Sequence, residues 1–359
     1  MKRPWPDNRS AMLQRFIVVA IVACAGGMAK AQDWGEVPEA QNWTRHFRLG
    51  PVVGLNLRAD FKMNGQFNVS GGSQAGPTGV SGVDHVYDDG YVRVDDTGNA
   101  QGYTSYWGYD NASQYDPADQ TLTLRSSSSF NLSDSTQVDG DAQWGLDLVY
   151  GGKIMKSGDA LVGWEFGFMW LPIGIKDSSE FPTTLARTVH VFDTGGLVMP
   201  TAPYNGGPSG IGPTIRDVAS TGPEETSPGT ITGSRELDVT LYNFRLGPSL
   251  HWEVNSWFAF SVGAGAALGL ANCDYKFNET IQIADGGQTS NHGSFGDTEI
   301  VYGGYAGVTL MFHTIEKADI FIGAQFMTLG KVGVSSEGRQ ASLDLGAGVY
   351  LSAGVNWPF

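Results

Sequence analysis

Apolar and polar residues alternate along most of the chain after Gly50, with the period of two that is typical of a β-strand with one apolar face. In one segment Phe166 and Trp170 share a face opposite Glu165 and Gly167. Eight segments alternate in this way, covering about residues 49–63, 142–156, 159–175, 236–253, 257–275, 297–314, 318–332 and 343–359. The pattern predicts an all-β protein, a transmembrane antiparallel up-and-down β-barrel of eight strands whose apolar faces point outward.

Two details of the pattern bear on the strand count and register. Short strand-like runs at 91–94 and 121–125 leave a barrel of 10 to 12 strands open. In the fourth segment Leu237 and Leu241 have the opposite parity to Tyr242 and Phe244. A β-bulge near position 241 would reconcile the two sets.

The connections between these segments alternate between short and long. Three are tight turns, near residues 156–159, 254–256 and 315–318, and the others span about 78, 60, 21 and 10 residues. This asymmetry is typical of periplasmic turns and outer loops, so we expect outer loops at about 64–141 and 176–235 and both termini in the periplasm. An aromatic girdle is expected at the periplasmic interface, formed by Trp164, Trp252, Trp257, Trp357 and Phe359.

The first 31 residues predict a secretory signal peptide, because basic residues precede the apolar run from Phe16 to Ala25 and a small-residue cleavage site ends at Ala31. Lipid attachment at Cys24 is the alternative. Residues 32–48 are then a short periplasmic segment, and 49–359 form the barrel. After cleavage Cys273 is the one remaining cysteine, so no intramolecular disulfide can form.

Composition supports a barrel and limits the partners. Glycine supplies 50 of 359 residues and charged residues are only 16% of the chain, which fits a narrow interior and a lipid-facing wall. Without residues 1–31 the chain carries 17 basic and 36 acidic residues. This charge argues against nucleic acid or anionic phospholipid as a partner, and it suits a surface that repels its copies or collects cations.

The export signal, the eight segments, the loop asymmetry and the final Phe359 together resemble the small bacterial outer-membrane barrels of the OmpA, OmpX and OmpW type. The resemblance covers about residues 47–63 and 142–359 outside the long loops. It implies an outer-membrane location, a C-terminal insertion signal at Phe359, and outer-membrane lipid and the export and insertion machinery as partners. It is architectural and implies no particular function.

The barrel interior is the first candidate site. If the polar face of each segment points inward, the lumen receives a network of charged side chains: Arg58, Asp60, Asp147, Glu165, Arg245, Glu299 and Asp344. Unpaired charges in so narrow a space are costly, so these residues should pair. The pairs predict a plug that closes the barrel, and a gated or narrow conduit for small solutes is the alternative.

The first outer loop is the second candidate site. It contains carboxylates and aromatic residues that could hold a glycan or a calcium ion, namely Asp88, Asp89, Asp95, Asp96, Tyr103, Tyr106, Trp107 and Tyr109. However, the D-x-D-x-D-G spacing of calcium loops is missing. A long loop with its own structure also needs aromatic residues to bury, so internal packing is the competing interpretation.

Catalysis at the barrel rim would need histidine, serine or paired carboxylates in a cluster. His190 and His292 lie in predicted outer loops, whereas His251 and His313 lie near periplasmic strand ends, and none belongs to a motif with a nucleophile. We therefore expect a non-enzymatic protein without cofactor or metal. A structural or surface-interaction barrel is the first hypothesis, a porin-like conduit the second, and a rim hydrolase a remote third.

Overall fold

The computed structural model describes residues 44–68, 85–93, 100–157, 160–207, 211–283, 288–315 and 318–359. The expected signal peptide and Cys24 lie outside these residues. The described strands are, in chain order, β1 Arg45–Leu55, β2 Arg58–Asn68, β3 His85–Tyr87, β4 Gly90–Val92, β5 Tyr103–Thr104, β6 Trp107–Tyr109, β7 Tyr115–Asp116, β8 Thr121–Asp139, β9 Gln143–Ser157, β10 Ala160–Asp177, β11 Phe181–Asp193, β12 Tyr204–Asn205, β13 Ile215–Arg216, β14 Ser220–Asn255, β15 Phe258–Ile283, β16 Gln288–Ile315, β17 Ala318–Thr328, β18 Lys331–Ser336, β19 Arg339–Asp344 and β20 Gly348–Pro358.

Eight of these strands close into a hydrogen-bonded ring, in the order β1-β9-β10-β14-β15-β16-β17-β20 and back to β1. All pairings in the ring are antiparallel. The all-β antiparallel prediction is confirmed, and we call this part of the molecule the ring half. Its first strand begins at Arg45, four residues before the expected start at position 49.

The wall continues past the ring as a second region, which we call the extension. Strands β14, β15 and β16 run through without interruption, whereas the other ring strands break and resume as β2, β8, β11, β18 and β19. At the first break Asn56 has a φ of 59°, a left-handed conformation that asparagine tolerates. The expected outer loops at 64–141 and 176–235 are therefore wrong in extent, because β8, β11 and the start of β14 lie within them.

The two regions have opposite polarity, and β15 shows both arrangements along one strand. Its even-numbered residues point outward, with Val262, Leu268 and Leu270 in the ring half and Asn272, Asp274 and Lys276 in the extension. Its odd-numbered residues point inward, with Gly263, Gly265 and Gly269 followed by Cys273, Tyr275 and Phe277. The ring half is apolar outside and the extension is apolar inside.

Strand β14 makes the same switch without a change of register. Leu237 and Leu241 are buried inside, and Tyr242 and Phe244 are exposed outside, while pairing with β10 and β15 runs unbroken through position 241. The predicted bulge is therefore wrong. The parity of the apolar residues changes because the inner face of the extension forms an apolar core, whereas in the ring half the large apolar residues are exposed on the outer face.

The outer face of the ring half forms an apolar belt. Its exposed side chains come from all sides of the ring and include Trp144, Leu146, Phe166, Trp170, Phe244, Leu246, Val262, Leu268, Ile300, Tyr302, Ile322 and Leu351. Aromatic residues gather at the end with the short connections, which we call the turn end. There Trp257 packs near Phe312, Trp252 stacks on Phe260 and Trp357 stacks on Phe47.

The far end of the extension carries a small cap. It contains the sheet β12-β6-β4-β3 and the pair β13-β5. Its apolar core, with Trp107 and Tyr109, packs on Leu122 and Leu124 of β8 and on Phe192 of β11. Among the described residues, helices long and apolar enough to cross a membrane are absent.

Candidate functional site

The middle of the ring lumen is occupied by paired charges. Arg245 on β14 donates hydrogen bonds to Asp147 on β9 and to Gln325 on β17. Arg48 on β1 donates to Glu165 on β10 at 2.7 Å. All four charged side chains are nearly buried, so each needs its partner to offset the loss of hydration. Together these contacts join strands that are not neighbours in the ring.

Glycine makes room for the larger of these side chains. A Cβ added to Gly167 would lie 2.6 Å from Nε of Arg245, closer than any ordinary contact. At Gly263, elsewhere in the same lumen, the nearest atoms would be 3.7 Å away. The Arg245 guanidinium therefore lies flat against the backbone at Gly167, and the alternation of glycine with large residues in β10 sets its position.

A second polar cluster closes the lumen at the turn end. Glu253 contacts His251 at 2.8 Å and His313 at 2.9 Å, and the other ring nitrogen of His313 lies 2.7 Å from Asp319. Asn356 donates to Asp319 at 2.9 Å. This hydrogen-bonded chain ties together β14, β16, β17 and β20. Sequence analysis missed it because His251 and His313 lie 62 positions apart, and only the strand pairing brings both to Glu253.

Toward the extension the lumen is filled by apolar side chains, which we call the apolar plug. Val52, Met169, Leu171, Leu241 and Tyr350 come from four different strands, and each is at most 1% exposed. The cavities between the charged layers measure about 20 and 40 Å³. Because a buried water needs about 10–15 Å³ by this measure, they have room for a few water molecules and for no larger solute.

The structure brings together three of the seven predicted lumen residues and places the other four elsewhere. Arg245, Asp147 and Glu165 line the lumen. Arg58, Asp60 and Asp344 lie on the outer face of the extension, and Glu299 lies at an open edge of β16. The prediction is wrong for Arg58, Asp60 and Asp344 because it assumed the polarity of the ring half along the whole length of each segment. Glu299 keeps the inward parity of Val301 on β16 but contacts Gly333 at the edge of the wall rather than the other lumen charges.

Arg58 and Asp60 illustrate this placement. Arg58 pairs with Asp139 at 2.7 Å, with 39% and 65% of the two side chains exposed. Asp60 accepts from Gln137 at 2.9 Å and lies 3.4 Å from Lys331. These are surface ion pairs in contact with solvent, and such pairs contribute little to stability.

The extension has a buried ionic network that sequence analysis did not identify. Arg235 contacts Glu279 at 2.8 Å and Asp177 at 3.1 Å, and Arg339 contacts the second oxygen of Glu279 at 2.9 Å. The guanidinium of Arg235 lies 4.1 Å from the centre of the Phe181 ring. This network crosses the interior of the extension and closes it above the apolar plug.

The wall of the extension opens between β16 and β18. Strand β16 pairs with β17 only from Gly304 onward, and in the described part of the chain no backbone pairing joins β16 to β18. The amide of Gly333 donates instead to the carboxylate of Glu299 at 3.1 Å. The result is a cleft of about 560 Å³, within the range of small-molecule binding sites.

The first predicted outer loop forms most of the cap, and most of its described candidate residues are engaged in packing. Trp107 is fully buried and donates to the carbonyl of Pro213 at 2.8 Å, and Tyr109 donates to the carbonyl of Pro200. Tyr106 lies beside Arg93, and the more exposed Tyr103 lies beside Arg216. Asp95 and Asp96 fall outside the described residues.

Asp88 and Asp89 attach the cap to the extension wall. Asp88 accepts hydrogen bonds from the amide and hydroxyl of Ser127, and Asp89 from the amide and guanidinium of Arg125. Arg187 lies within 3.8 Å of both carboxylates. Burial raises the pKa of both carboxyls, while these hydrogen bonds and cations act to lower it. The two residues hold the cap in place.

His190 on β11 lies beside the cap, and its contacts are structural in character. One of its ring nitrogens lies 3.0 Å from the hydroxyl of Ser126, and its ring packs on Tyr87 at 4.8 Å between centroids. Burial, with a smaller effect of His85, lowers the pKa of His190 below its usual 6.5. Among the described residues, groups of three or more His, Cys, Asp or Glu placed to hold a metal ion are absent.

Comparison with known proteins finds no matching family model and no matching curated protein. Solved structures do match. The outer-membrane protein OprG from Pseudomonas aeruginosa is 10% identical, with a TM-score of 0.32, covering 90% of this chain and 99% of that one. The outer-membrane protease OmpT from Escherichia coli is 8% identical, with a TM-score of 0.31, covering 91% and 99%. Ail of Yersinia pestis is 9% identical, with a TM-score of 0.24, covering 87% and 99%. The chain is thus similar, at low TM-score, to bacterial outer-membrane β-barrels, and no sequence family is matched.

Proposed function

We propose that this protein is a non-conducting, non-enzymatic barrel of the bacterial outer membrane, which anchors a rigid extension and cap for interaction at the cell surface. The observation that carries the proposal is the filled lumen. Two charged layers and the apolar plug occupy it in succession, and the cavities between them have room only for water. A solute conduit would need these layers to separate.

The apolar belt supports the membrane location. Side chains such as Trp144, 66% exposed, and Tyr302, 82% exposed, lie on a continuous outer face of a closed ring. In water such a face would be an aggregation hazard, whereas in lipid it is the ordinary outer wall of a barrel. The short connections at the turn end and the cap at the other end favour an orientation with both termini in the periplasm.

The extension supports the surface role. It has its own apolar core, a buried ionic network and a cap fixed by Asp88 and Asp89, so it is held rigidly above the belt. A rigid projection with a polar outer face can hold a binding surface at a fixed distance from the membrane. Because it is already ordered, binding a partner does not require a further loss of conformational entropy.

Single-channel conductance tests the proposal. The chain from Gln32 to Phe359, refolded and inserted in a planar bilayer, should give no reproducible steps. Replacing Leu171 and Leu241 together by glycine should open a leak, because this removes much of the apolar plug. The matched control is Leu268→Gly, which shortens a leucine on the outer belt and should leave the bilayer silent.

Conductance by the unmodified chain would overturn the closed-lumen proposal in favour of the conduit. Regular steps that change with Arg245→Ala but not with Arg58→Ala would locate the pathway in the lumen, since only Arg245 lies there. Failure of the refolded chain to enter bilayers at all would instead overturn the membrane location.

A further inference from the structure

One arginine of the cap lies between two tyrosine rings. The Cζ atom of Arg93 is 5.2 Å from the ring centre of Tyr91 and 5.2 Å from that of Tyr106. The two rings meet edge to face, with 5.8 Å between their centres and 86° between their planes. The guanidinium therefore lies in the corner formed by the two rings, where cation–π attraction holds it. We call these three residues the cap cluster.

Strand pairing shows which way the cap cluster faces. Val92 on β4 and Trp107 on β6 lie opposite each other, and both are fully buried in the core that joins the cap to the extension wall. Side chains alternate between the two faces of a sheet, so Tyr91, Arg93 and Tyr106 lie on the other face. All three are half-buried there. The cap cluster thus belongs to the face of the cap that is turned away from the extension.

Arg93 differs from the arginines of the extension in having no acidic partner. Arg125 and Arg235 each contact two carboxylates, whereas Arg93 forms no salt bridge with any described residue. Its Nε is buried without a partner, and its two terminal nitrogens remain accessible. The hydroxyl of Tyr91 donates to the carbonyl of Gly206 at 2.8 Å and can still accept a hydrogen bond. The cap cluster therefore offers a ligand a fixed cation, two ring surfaces and a hydroxyl.

These groups fit a sugar that carries a carboxylate. The end of a guanidinium presents two parallel N–H donors, which match the two oxygens of one carboxylate. A sugar ring has apolar C–H faces and hydroxyls at its rim, so it can pack on a tyrosine ring while a hydroxyl donates to a phenol oxygen. A polyanion fits less well, because the cluster has one cation and the chain after residue 31 carries 36 acidic against 17 basic residues.

We propose that the cap cluster binds an acidic glycan through one uronic acid unit, with the carboxylate on the terminal nitrogens of Arg93 and the sugar ring against Tyr91 and Tyr106. The site rests on the proposed surface role and deepens it, because a glycan outside the cell reaches the cap only if the cap faces outward. It separates the aromatic residues of the cap into two sets. Trp107 and Tyr109 form its core, and the cap cluster contacts the ligand.

Saturation-transfer difference NMR, titrated to give dissociation constants, tests the site on the mature chain in detergent micelles. The probes are methyl glucuronide, methyl glucoside and methyl glucoside 6-phosphate, which differ only at the sixth carbon. Methyl glucuronide should bind about tenfold more tightly than methyl glucoside, the effect of one charge-assisted hydrogen bond. It should also bind more tightly than the phosphate, whose second charge meets an acidic chain. Acetate at the same concentration should not displace it.

Three variants and a control locate the binding. Arg93→Lys keeps the charge but loses the planar fork, so it should lose the preference for methyl glucuronide. Tyr106→Leu should weaken binding of glucuronide and glucoside alike, because it removes a ring surface, and Tyr106→Phe should keep both. Arg58→Gln is the control and should bind normally, since Arg58 pairs with Asp139 at the end of β8 remote from the cap. Near-ultraviolet circular dichroism checks that each variant is folded.

Each alternative result has a definite meaning. Equal affinity of the unmodified chain for glucuronide and glucoside overturns the site whatever the variants do, and so does unchanged glucuronide binding by folded Arg93→Lys. Tighter binding of the phosphate would make the ligand a phosphorylated sugar, and displacement by acetate would show that the sugar ring is not recognised. Both results contradict the proposal. None of these measurements needs a bilayer, so they fail separately from the proposed function, which conductance and membrane insertion test.

Discussion

The ring half and the extension are built from the same wall of strands, yet they have opposite polarity. In the ring half the large apolar residues of β15, such as Leu268, point outward and glycines such as Gly265 point inward. Thirteen residues later on the same strand Ile281 is buried inside and Gln282 is exposed outside. The difference teaches that strand alternation fixes which residues share a face, while the surroundings decide which face is apolar.

The interiors of the two regions also differ in how they use charge. In the ring lumen the charged layers at Arg245 and Glu253 follow one another along the barrel axis and are paired across the lumen. In the extension the network around Arg235 is surrounded by apolar clusters. The extension is therefore organised like a water-soluble barrel, with a core that must be complete to be stable.

The largest expected effect tests that core. Arg235→Ala should lower the free energy of unfolding of the extension by about 3–5 kcal/mol, because it leaves Glu279 and Asp177 buried with less compensation. Urea unfolding in detergent, followed by near-ultraviolet circular dichroism, measures this loss. Lys276→Ala, which removes an exposed partner of Asp238, should leave the midpoint in place. Equal effects of the two substitutions would contradict a soluble-type core.

A lysine placed on the outer face should distinguish the two regions directly. Val262→Lys, on the belt, should cost about 2–4 kcal/mol of stability in lipid, because a charge in mid-membrane loses its hydration. Asn278→Lys, on the same face of β15 in the extension, should have little effect because that face meets water. Refolding yield and urea midpoint in vesicles measure both. If Val262→Lys is tolerated as well as Asn278→Lys, the belt does not contact lipid.

The smallest expected effect concerns the cap. Burial lowers the pKa of His190, so its neutral form is favoured in the folded state, and its contribution to stability is full above pH 6.5. This contribution is lost as the pH falls below 6.5, where the unfolded histidine binds a proton. Hydrogen exchange of cap amides, corrected for intrinsic rates, should therefore show less protection at pH 5 than at pH 7.5. His190→Gln should flatten this dependence, and an unchanged pH dependence in that variant would assign the effect to other groups.

Particular residues show how far the sequence could predict this site. The inward positions of Arg245, Asp147 and Glu165 follow from alternation, because these residues lie within the ring half, where the assumption of an apolar outer face holds, whereas the partner of each charge is seen only in the structure. Arg58, Asp60 and Asp344 follow the same alternation and were misplaced, because a period of two does not show where the apolar face of a strand changes from the outside of the wall to its inside. The aromatic residues of the first loop allowed two interpretations, ligand binding and internal packing. Most of their described contacts are packing contacts.

The sequence by itself determined that the chain forms β-strands and which residues share a face along each segment. Both properties depend on neighbours within one strand. Only the tertiary structure decided which strands continue past the ring, where polarity inverts, and that Glu253 meets both His251 and His313. The same holds for the cleft, which exists because β18 pairs with β19 and leaves the edge of β16 open. These features depend on pairings between residues distant in sequence, and such pairings are set by the free energy of the whole wall and its surroundings.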